Sequence, residues 1–183
     1  MHRDIKSGNI VVNTVTKELN VIDWGLSEYY IPNFKYNTRA GTRFYKAPEL
    51  LLEYKKYDYS IDIWSAGCVL AAMLFQKDFF FKGSDLFSQI IKIAEVFGFE
   101  EFQKFFNKYQ NDIRINKKVV EQIKNYEKKQ WKSFINENNK YLVNDDVIDL
   151  LDKMLKFDPK ERIKAEEAIK HPYFKEFFDN KKN

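Results

Sequence analysis

HRDIKSGNIVVNTVTKELNVIDWG, residues 2–25, is the stretch on which the fold of this chain turns. Two short β-rich segments, NIVVN (9–13) and LNVID (19–23), flank the polar connection TVTKE (14–18), which is the pattern of a hairpin. Pairing symmetric about Thr16 sets Asn9 opposite Asp23 and Ile10 opposite Ile22. Directly opposed residues of an antiparallel pair have Cβ atoms about 5 Å apart. Two oxygen-bearing side chains, Asn9 and Asp23, are therefore expected side by side at the open end of the hairpin. Asp4 and Lys6 lie in the loop that feeds it.

Beyond the hairpin the pattern turns helical. YSIDIWSAGCVLAAMLF (59–75) is apolar on almost every face, with Ser60 as the candidate N-cap, and a helix apolar all round belongs at the centre of a domain. SDLFSQIIKIAEVFG (84–98) carries Leu86, Ile90, Ile93 and Phe97 at helical spacing and ends on Gly98, where a terminating glycine belongs. EEFQKFFNKYQ (100–110) and VVEQIKNYEKKQWKSFI (119–135) read as shorter helices. Asn144, followed by Asp145 and Asp146 in a first turn whose dipole favours anions, opens a helix through VIDLLDKMLKF (147–157) that Pro159 closes. AEEAIKHPYF (165–174) supplies a last short helix. The expected architecture is one mainly α domain over residues 1–183 with a small β-hairpin near its start.

A chain of 183 residues has room for one domain with a core of its own. Hydrophobic residues make up 44% and aromatics 17%, so the chain is globular, with a core rich in Phe and Tyr, despite 32% charge. The net charge is +4, but Lys and Arg are scattered among 27 acidic residues, as on a solvated surface rather than a nucleic-acid footprint. Cys68 is the single cysteine; it forms no internal disulfide and suits a reducing compartment as a small packed hydrophobe. Its apolar run, AGCVLAAMLF (66–75), is too short to cross a bilayer, and no signal-peptide pattern opens the sequence. A soluble intracellular protein, cytoplasmic or nuclear, is expected, without membrane or nucleic-acid partners.

The chemistry sits in three short strings. HRDIKSGN places Asp4, Lys6 and Asn9 in one loop, Asp23-Trp24-Gly25 follows, and Ala47-Pro48-Glu49 comes later. Each string is common alone. In this order they are the H-R-D-x-x-x-x-N, D-x-G and A-P-E motifs of protein kinases. Phosphoryl transfer needs positioning and charge neutralisation more than covalent help, so Mg²⁺ has to be held by oxygen ligands at one point. Asn9 and Asp23 are the metal candidates. Asp4 can accept the proton of an attacking hydroxyl, and Lys6 can bring a positive charge to the γ-phosphate.

Over its whole length the chain resembles the protein kinases, and within them the casein kinase II catalytic (alpha) subunit family of the CMGC group. HRDIKSGN, VIDWGLSEYY, YNTRAGTRFYKAPELLLEYKKYDYSIDIWSAGCVLAAMLF, ENNKYLV and KFDPKERIKAEEAIKHPYF carry the resemblance, and Trp24 most of all, because most kinases have Phe there. The resemblance implies the C-terminal lobe of a kinase fold, a serine/threonine kinase activity, ATP or GTP with Mg²⁺, and acidic protein substrates. Arg39, Arg43 and Lys46 match the basic residues that contact acidic side chains of the substrate. Val11 and Ile22 match the apolar floor beneath the purine. Glu49 and Arg162 resemble an ion pair that ties the activation segment to the rest of the lobe, and Asp62 resembles the residue that holds the catalytic-loop backbone from beneath.

The chain departs from that family at Ser7-Gly8, at Gly41-Thr42 and at Ala47, which are closer to the wider CMGC group. No G-x-G occurs among its six glycines, and the strand lysine of a kinase would precede the HRD motif. The N-terminal lobe is therefore expected to be absent, and the chain alone is expected to show negligible activity and weak ATP affinity. The family's regulatory beta subunit docks mainly on that lobe, so its binding does not carry over to this chain. Two other readings compete: a non-catalytic kinase-lobe binding module, and another CMGC-group kinase, which Trp24 disfavours.

Overall fold

A computed structural model of the chain describes residues 1–179. Strands β1 (Ile10–Val12) and β2 (Leu19–Val21) pair antiparallel, with Ile10 opposite Val21, Val11 opposite Asn20 and Val12 opposite Leu19. This register is one residue away from pairing about Thr16. The turn sets it: the Asn13 side-chain oxygen accepts the N–H groups of Val15 at 2.9 Å and Thr16 at 3.1 Å, and Lys17 takes a left-handed conformation at φ 63°. Asn13 and Glu18 then close the loop through an N–H to carbonyl bond of 2.9 Å. As a result Ile22, not Asp23, meets Asn9, its N–H donating to the Asn9 carbonyl at 2.9 Å.

The short α1 (Pro48–Leu51) leads to α2 (Ser60–Leu74), which buries Ile61, Trp64, Gly67, Cys68, Ala71 and Leu74 and leaves only Met73 exposed. Burial pushes the Cys68 thiol far above its ordinary pKa, so it packs as an inert hydrophobe. Ser60 does not cap α2. It is the first helical residue, and its own N–H is taken by the Asp58 carboxylate at 3.0 Å. Gly67 lets the following layer approach closely: a Cβ there would stand 2.8 Å from a Leu155 methyl.

Helix α3 (Leu86–Tyr109) starts with a reciprocal cap, Asp85 accepting from the Ser88 N–H at 2.7 Å and Ser88 Oγ from the Asp85 N–H at 2.9 Å. It joins the two segments read as separate helices through a bend at Gly98, where φ is 79° and ψ 168°. Only glycine adopts that conformation readily, and a Cβ would lie 2.6 Å from the Lys128 nitrogen. The bend frees the Val96 carbonyl and the Phe99 N–H. Both are satisfied from the next segment, by Lys129 N–H and the Tyr126 carbonyl, each at 2.8 Å.

That recruitment is why the helix expected over 119–135 is short. Helix α4 (Lys117–Ile123) stops before Tyr126, and only a 3₁₀ turn, Trp131–Phe134, follows. Gly98→Ala is expected to cost about 1–3 kcal/mol from backbone strain alone, read as a lower urea midpoint with an unchanged slope.

Helix α5 (Asp145–Met154) is capped by Asn144, whose side-chain oxygen accepts the Val147 N–H at 2.8 Å. It ends at Met154, ahead of Pro159, which opens a 3₁₀ turn instead. The last helical stretch is broken into α6 (Ala165–Ala168), a turn at Pro172–Phe174 and α7 (Lys175–Asp179).

Trp64 of α2 stacks on Phe81 at 5.8 Å and meets Phe97 at 5.6 Å, while Phe157 closes on Phe97 and Phe105 at 6.1 and 5.5 Å. The core is thus a chain of buried aromatic rings around α2, with the hairpin and the loop before it on one side. Among the described residues the fold is mainly α with a single two-stranded hairpin, and no helix is long and apolar enough to cross a membrane.

Candidate active site

Asp62, in the first turn of α2, accepts the backbone N–H groups of His2 at 2.7 Å and Arg3 at 2.8 Å. This fixes the loop that carries Asp4 to a helix of the buried core. Arg3 is left-handed at φ 68°, and its guanidinium reaches the Leu26 carbonyl at 2.6 Å and the Tyr57 hydroxyl at 3.3 Å. His2 is buried. Its Nδ1 accepts the Asp4 N–H at 3.2 Å, so Nε2 carries the proton and donates to the Ile22 carbonyl at 3.1 Å. The same ring packs on Trp24 at 4.7 Å. His2 and Arg3 therefore lock the Asp4 loop to the segment carrying Asp23, a role the motif contained but side-chain chemistry alone did not reveal.

Asp4 is only 7% exposed, and both of its oxygens are engaged. Thr42 donates to Oδ1 from its N–H at 2.8 Å and its hydroxyl at 2.7 Å. Lys6 Nζ donates to Oδ2 at 2.7 Å, and Asn9 Nδ2 donates to it at 3.3 Å and to the Asp4 carbonyl at 2.9 Å. Burial by itself raises the Asp4 pKa, but Lys6 and Thr42 outweigh it and hold the carboxyl below its ordinary value. Asp4 is an anion at neutral pH. The same contact raises Lys6, which also feels the charge of Asp23.

With its amide nitrogen committed to Asp4, Asn9 keeps its oxygen free, and the Asp23 carboxylate makes no hydrogen bond among the described residues. Asp23 itself is left-handed, at φ 62° and ψ 65°, immediately after Ile22 is tied to Asn9. Among the described residues no group of three or more His, Cys, Asp or Glu gathers around one point. Two free hard oxygens suit Mg²⁺, which takes one or two protein ligands and keeps water or phosphate for the rest.

A family model of the protein kinase domain matches residues 1–174. The chain belongs to the protein kinase family. Kinases transfer phosphate from ATP with Mg²⁺, and the loop of Asp4, the DWG turn and the APE segment fall in that order along this kinase chain.

The remaining candidate residues divide. Val11 and Ile22 fall on the same face of the hairpin by its register, each 42% exposed. Arg39 is exposed, and Arg43 is half-buried with its guanidinium 4.8 Å over the Phe44 ring. Lys46 differs from both: it is buried, and its ammonium donates to the carbonyls of Thr38, at 3.1 Å, and Ala40. Its donors are engaged within the loop, whereas Arg39 is open to solvent. Glu49 and Arg162 form a bidentate pair, at 2.6 and 2.7 Å, with no exposure of either side chain. Thr42, the hydroxyl on Asp4, was visible in sequence only as a residue of the intervening loop.

Several carboxylates in this kinase share Asp4's direction. At Asp158 burial acts upward, but the Lys108 ammonium, the Lys160 N–H and the Tyr109 hydroxyl together bring the pKa below its ordinary value. A depressed carboxylate stabilises the fold above the unfolded pKa, and that contribution is lost as pH falls through the folded one. Stability is expected to drop as pH falls below about 4, with Asp158→Asn flattening the fall; urea midpoints measured across that range check it.

Proposed function

We propose that this protein is a serine/threonine kinase of the casein kinase II alpha type, transferring the γ-phosphate of ATP to hydroxyls in acidic surroundings. The observation that carries it is Asp4: a recessed anion bonded by Asn9 and by a lysine that also feels the charge of Asp23. An attacking hydroxyl takes the place of the Thr42 hydroxyl on Asp4 Oδ1. Its oxygen forms the new bond to the γ-phosphorus, the bond from that phosphorus to the bridging oxygen breaks, and ADP leaves. The hydroxyl proton passes to Asp4. Because the Asp4 pKa is low, the group orients the hydroxyl throughout and takes the proton late.

Lys6 balances the charge of the transferred group. Asn9 and Asp23 would hold Mg²⁺, which when bound neutralises phosphate charge. Val11 and Ile22 offer the purine an apolar surface, for ATP or GTP. Trp24, exposed at 59% and packed on His2, supports the casein kinase II type over other CMGC-group kinases. Arg39 and Arg43 are the residues for an acidic substrate.

A second reading is a kinase-lobe module that binds acidic partners without catalysis. The two readings separate in one assay, using Mg·ATP and a serine peptide with acidic residues after the acceptor. The 183-residue chain alone is expected to transfer no phosphate above background. Joined after a kinase N-terminal lobe with its Gly-rich loop and strand lysine, it is expected to transfer, dependent on Asp4. Absence of transfer from the joined protein, with peptide still bound, would leave the binding module.

A further inference from the structure

We propose that the cleft between the 33–36 loop, the turn after α1 and the loop after α3 is a docking surface for an acidic, extended peptide segment of a partner protein. Cations that stand far apart in the sequence meet there: Lys35, Lys55, Lys56 and Arg114 line one cleft of about 230 Å³. Only two acids, Glu53 and Asp112, share it, so positive charge is in excess. Backbone bonds hold the three segments together. Tyr36 N–H donates to the Lys55 carbonyl and Arg114 N–H to the Leu52 carbonyl, each at 2.8 Å. Glu53, left-handed at φ 57°, turns the chain between those two anchors, and Ile113, 9% exposed, joins the core beneath. The cations are displayed from a fixed frame.

Their charges are only partly answered. Lys56 reaches Asp112 at 3.1 Å, but Arg114 stands 3.8 Å from Glu53, beyond hydrogen-bond length, with its side chain 83% exposed. Lys35 and Lys55 are exposed, and among the described residues their ammonium groups have no partner. A guanidinium takes a carboxylate through two parallel N–H bonds, and an ammonium adds charge without demanding a geometry. The free cations come from three segments rather than one point, which suits single charges spaced along a chain better than one phosphate group. No aromatic ring lines the cleft, so nothing there stacks on a nucleic-acid base. Neither Arg39 nor Arg43 belongs to the lining, and the inference holds whether or not the chain transfers phosphate.

The test is the binding of a fluorescein-labelled peptide of Glu, Asp and Gly, free of hydroxyl residues, to the 183-residue chain, read by anisotropy. Affinity is expected to fall steeply with added NaCl, because exposed charges are screened beyond about 8 Å at physiological ionic strength. Lys35→Glu with Lys55→Glu is expected to raise Kd at least about tenfold, since each reversal replaces an attraction with a like-charge contact. Arg114→Ala raises it as well. The same rise is expected in a chain already carrying Arg39→Ala and Arg43→Ala, which separates the cleft from the residues proposed for an acidic substrate.

A Kd unmoved by the Lys35→Glu and Lys55→Glu pair in that background overturns the proposal, as does absence of binding at low salt. Inorganic phosphate or a single-stranded RNA that shifts the amides of 53–56 and 111–114 at lower concentration than the peptide overturns the choice of partner. The side chains of Lys35, Lys55 and Arg114 are exposed, so these variants are expected to keep the fold, which far-UV circular dichroism checks. Should the double reversal not fold, ¹⁵N spectra of the unmutated chain decide. Peptide-induced shifts in 53–56 and 111–114 support the cleft, and shifts confined to 39–46 refute it.

Discussion

Asp4→Asn is expected to lower kcat by about 10²–10⁴-fold, the usual worth of a positioned general base, in the protein joined to a kinase N-terminal lobe. The amide keeps the size of the carboxylate but not its charge, and it cannot take the proton. Its surroundings are wrong as well. All four groups around the carboxylate are donors: the Thr42 N–H and hydroxyl on one oxygen, Lys6 and Asn9 on the other. An NH₂ facing either side meets an N–H and loses at least one bond, about 1–3 kcal/mol for a buried group.

The fold should survive that loss, because Lys6 is partly open to solvent and can be hydrated when its partner is gone. Far-UV circular dichroism and the urea midpoint check this, and single-turnover kinetics check the chemical step. The effect belongs to kcat with little change in KM for the peptide, the mark of an interaction made in the transition state. Activity within tenfold of the unmutated protein would remove Asp4 from the role of proton acceptor.

Arg162→Ala and Glu49→Ala are each expected to cost about 3–5 kcal/mol, a large part of the stability of a domain, which is typically about 5–15 kcal/mol. Neither side chain of the pair is exposed, so the survivor of a single substitution is a buried charge without its partner. Arg162 holds more than Glu49. It donates to the carbonyls of Lys156 at 2.8 Å, Ser60 at 3.1 Å and Phe157 at 3.2 Å, and its guanidinium lies 4.9 Å over Trp64. One side chain thus ties α1, the start of α2, the chain after α5 and the aromatic core.

The order of effects tests the cause. Replacing both partners, Glu49→Leu with Arg162→Met, removes the orphan charge and is expected to cost less than Arg162→Ala alone, although three carbonyls remain unpaired. Equilibrium urea unfolding of the singles and the double gives the comparison. A Glu49→Ala midpoint indistinguishable from the unmutated chain would show that the pair adds nothing net.

Some of this was legible in the sequence because it depends on local chemistry. β-rich segments around a polar connection gave the hairpin, and Asn144 with two aspartates gave the start of α5. The kinase motifs lie in chain order, so the loop of Asp4 and the positions of Asn9 and Asp23 were readable without coordinates. The hairpin register was not. A one-residue shift exchanges the faces of a strand, and the choice was made by the Asn13 side chain folding back on its own turn. Nor was the length of α4 readable, since its continuation is drawn off to serve the open bonds at the Gly98 bend.

What the sequence by itself determined is the family, the mainly α class and which residues are candidates for the chemistry, because each follows from residue type and order. Only the tertiary structure decided which of those groups are available. Lys46 and Arg39 are both basic residues of one loop, yet one is enclosed by carbonyls and the other faces solvent. Thr42 is an ordinary loop residue until Gly41 brings it onto Asp4. Burial and hydrogen bonding between distant segments set the charge and reach of a side chain, and neither is a property of its neighbours in the chain.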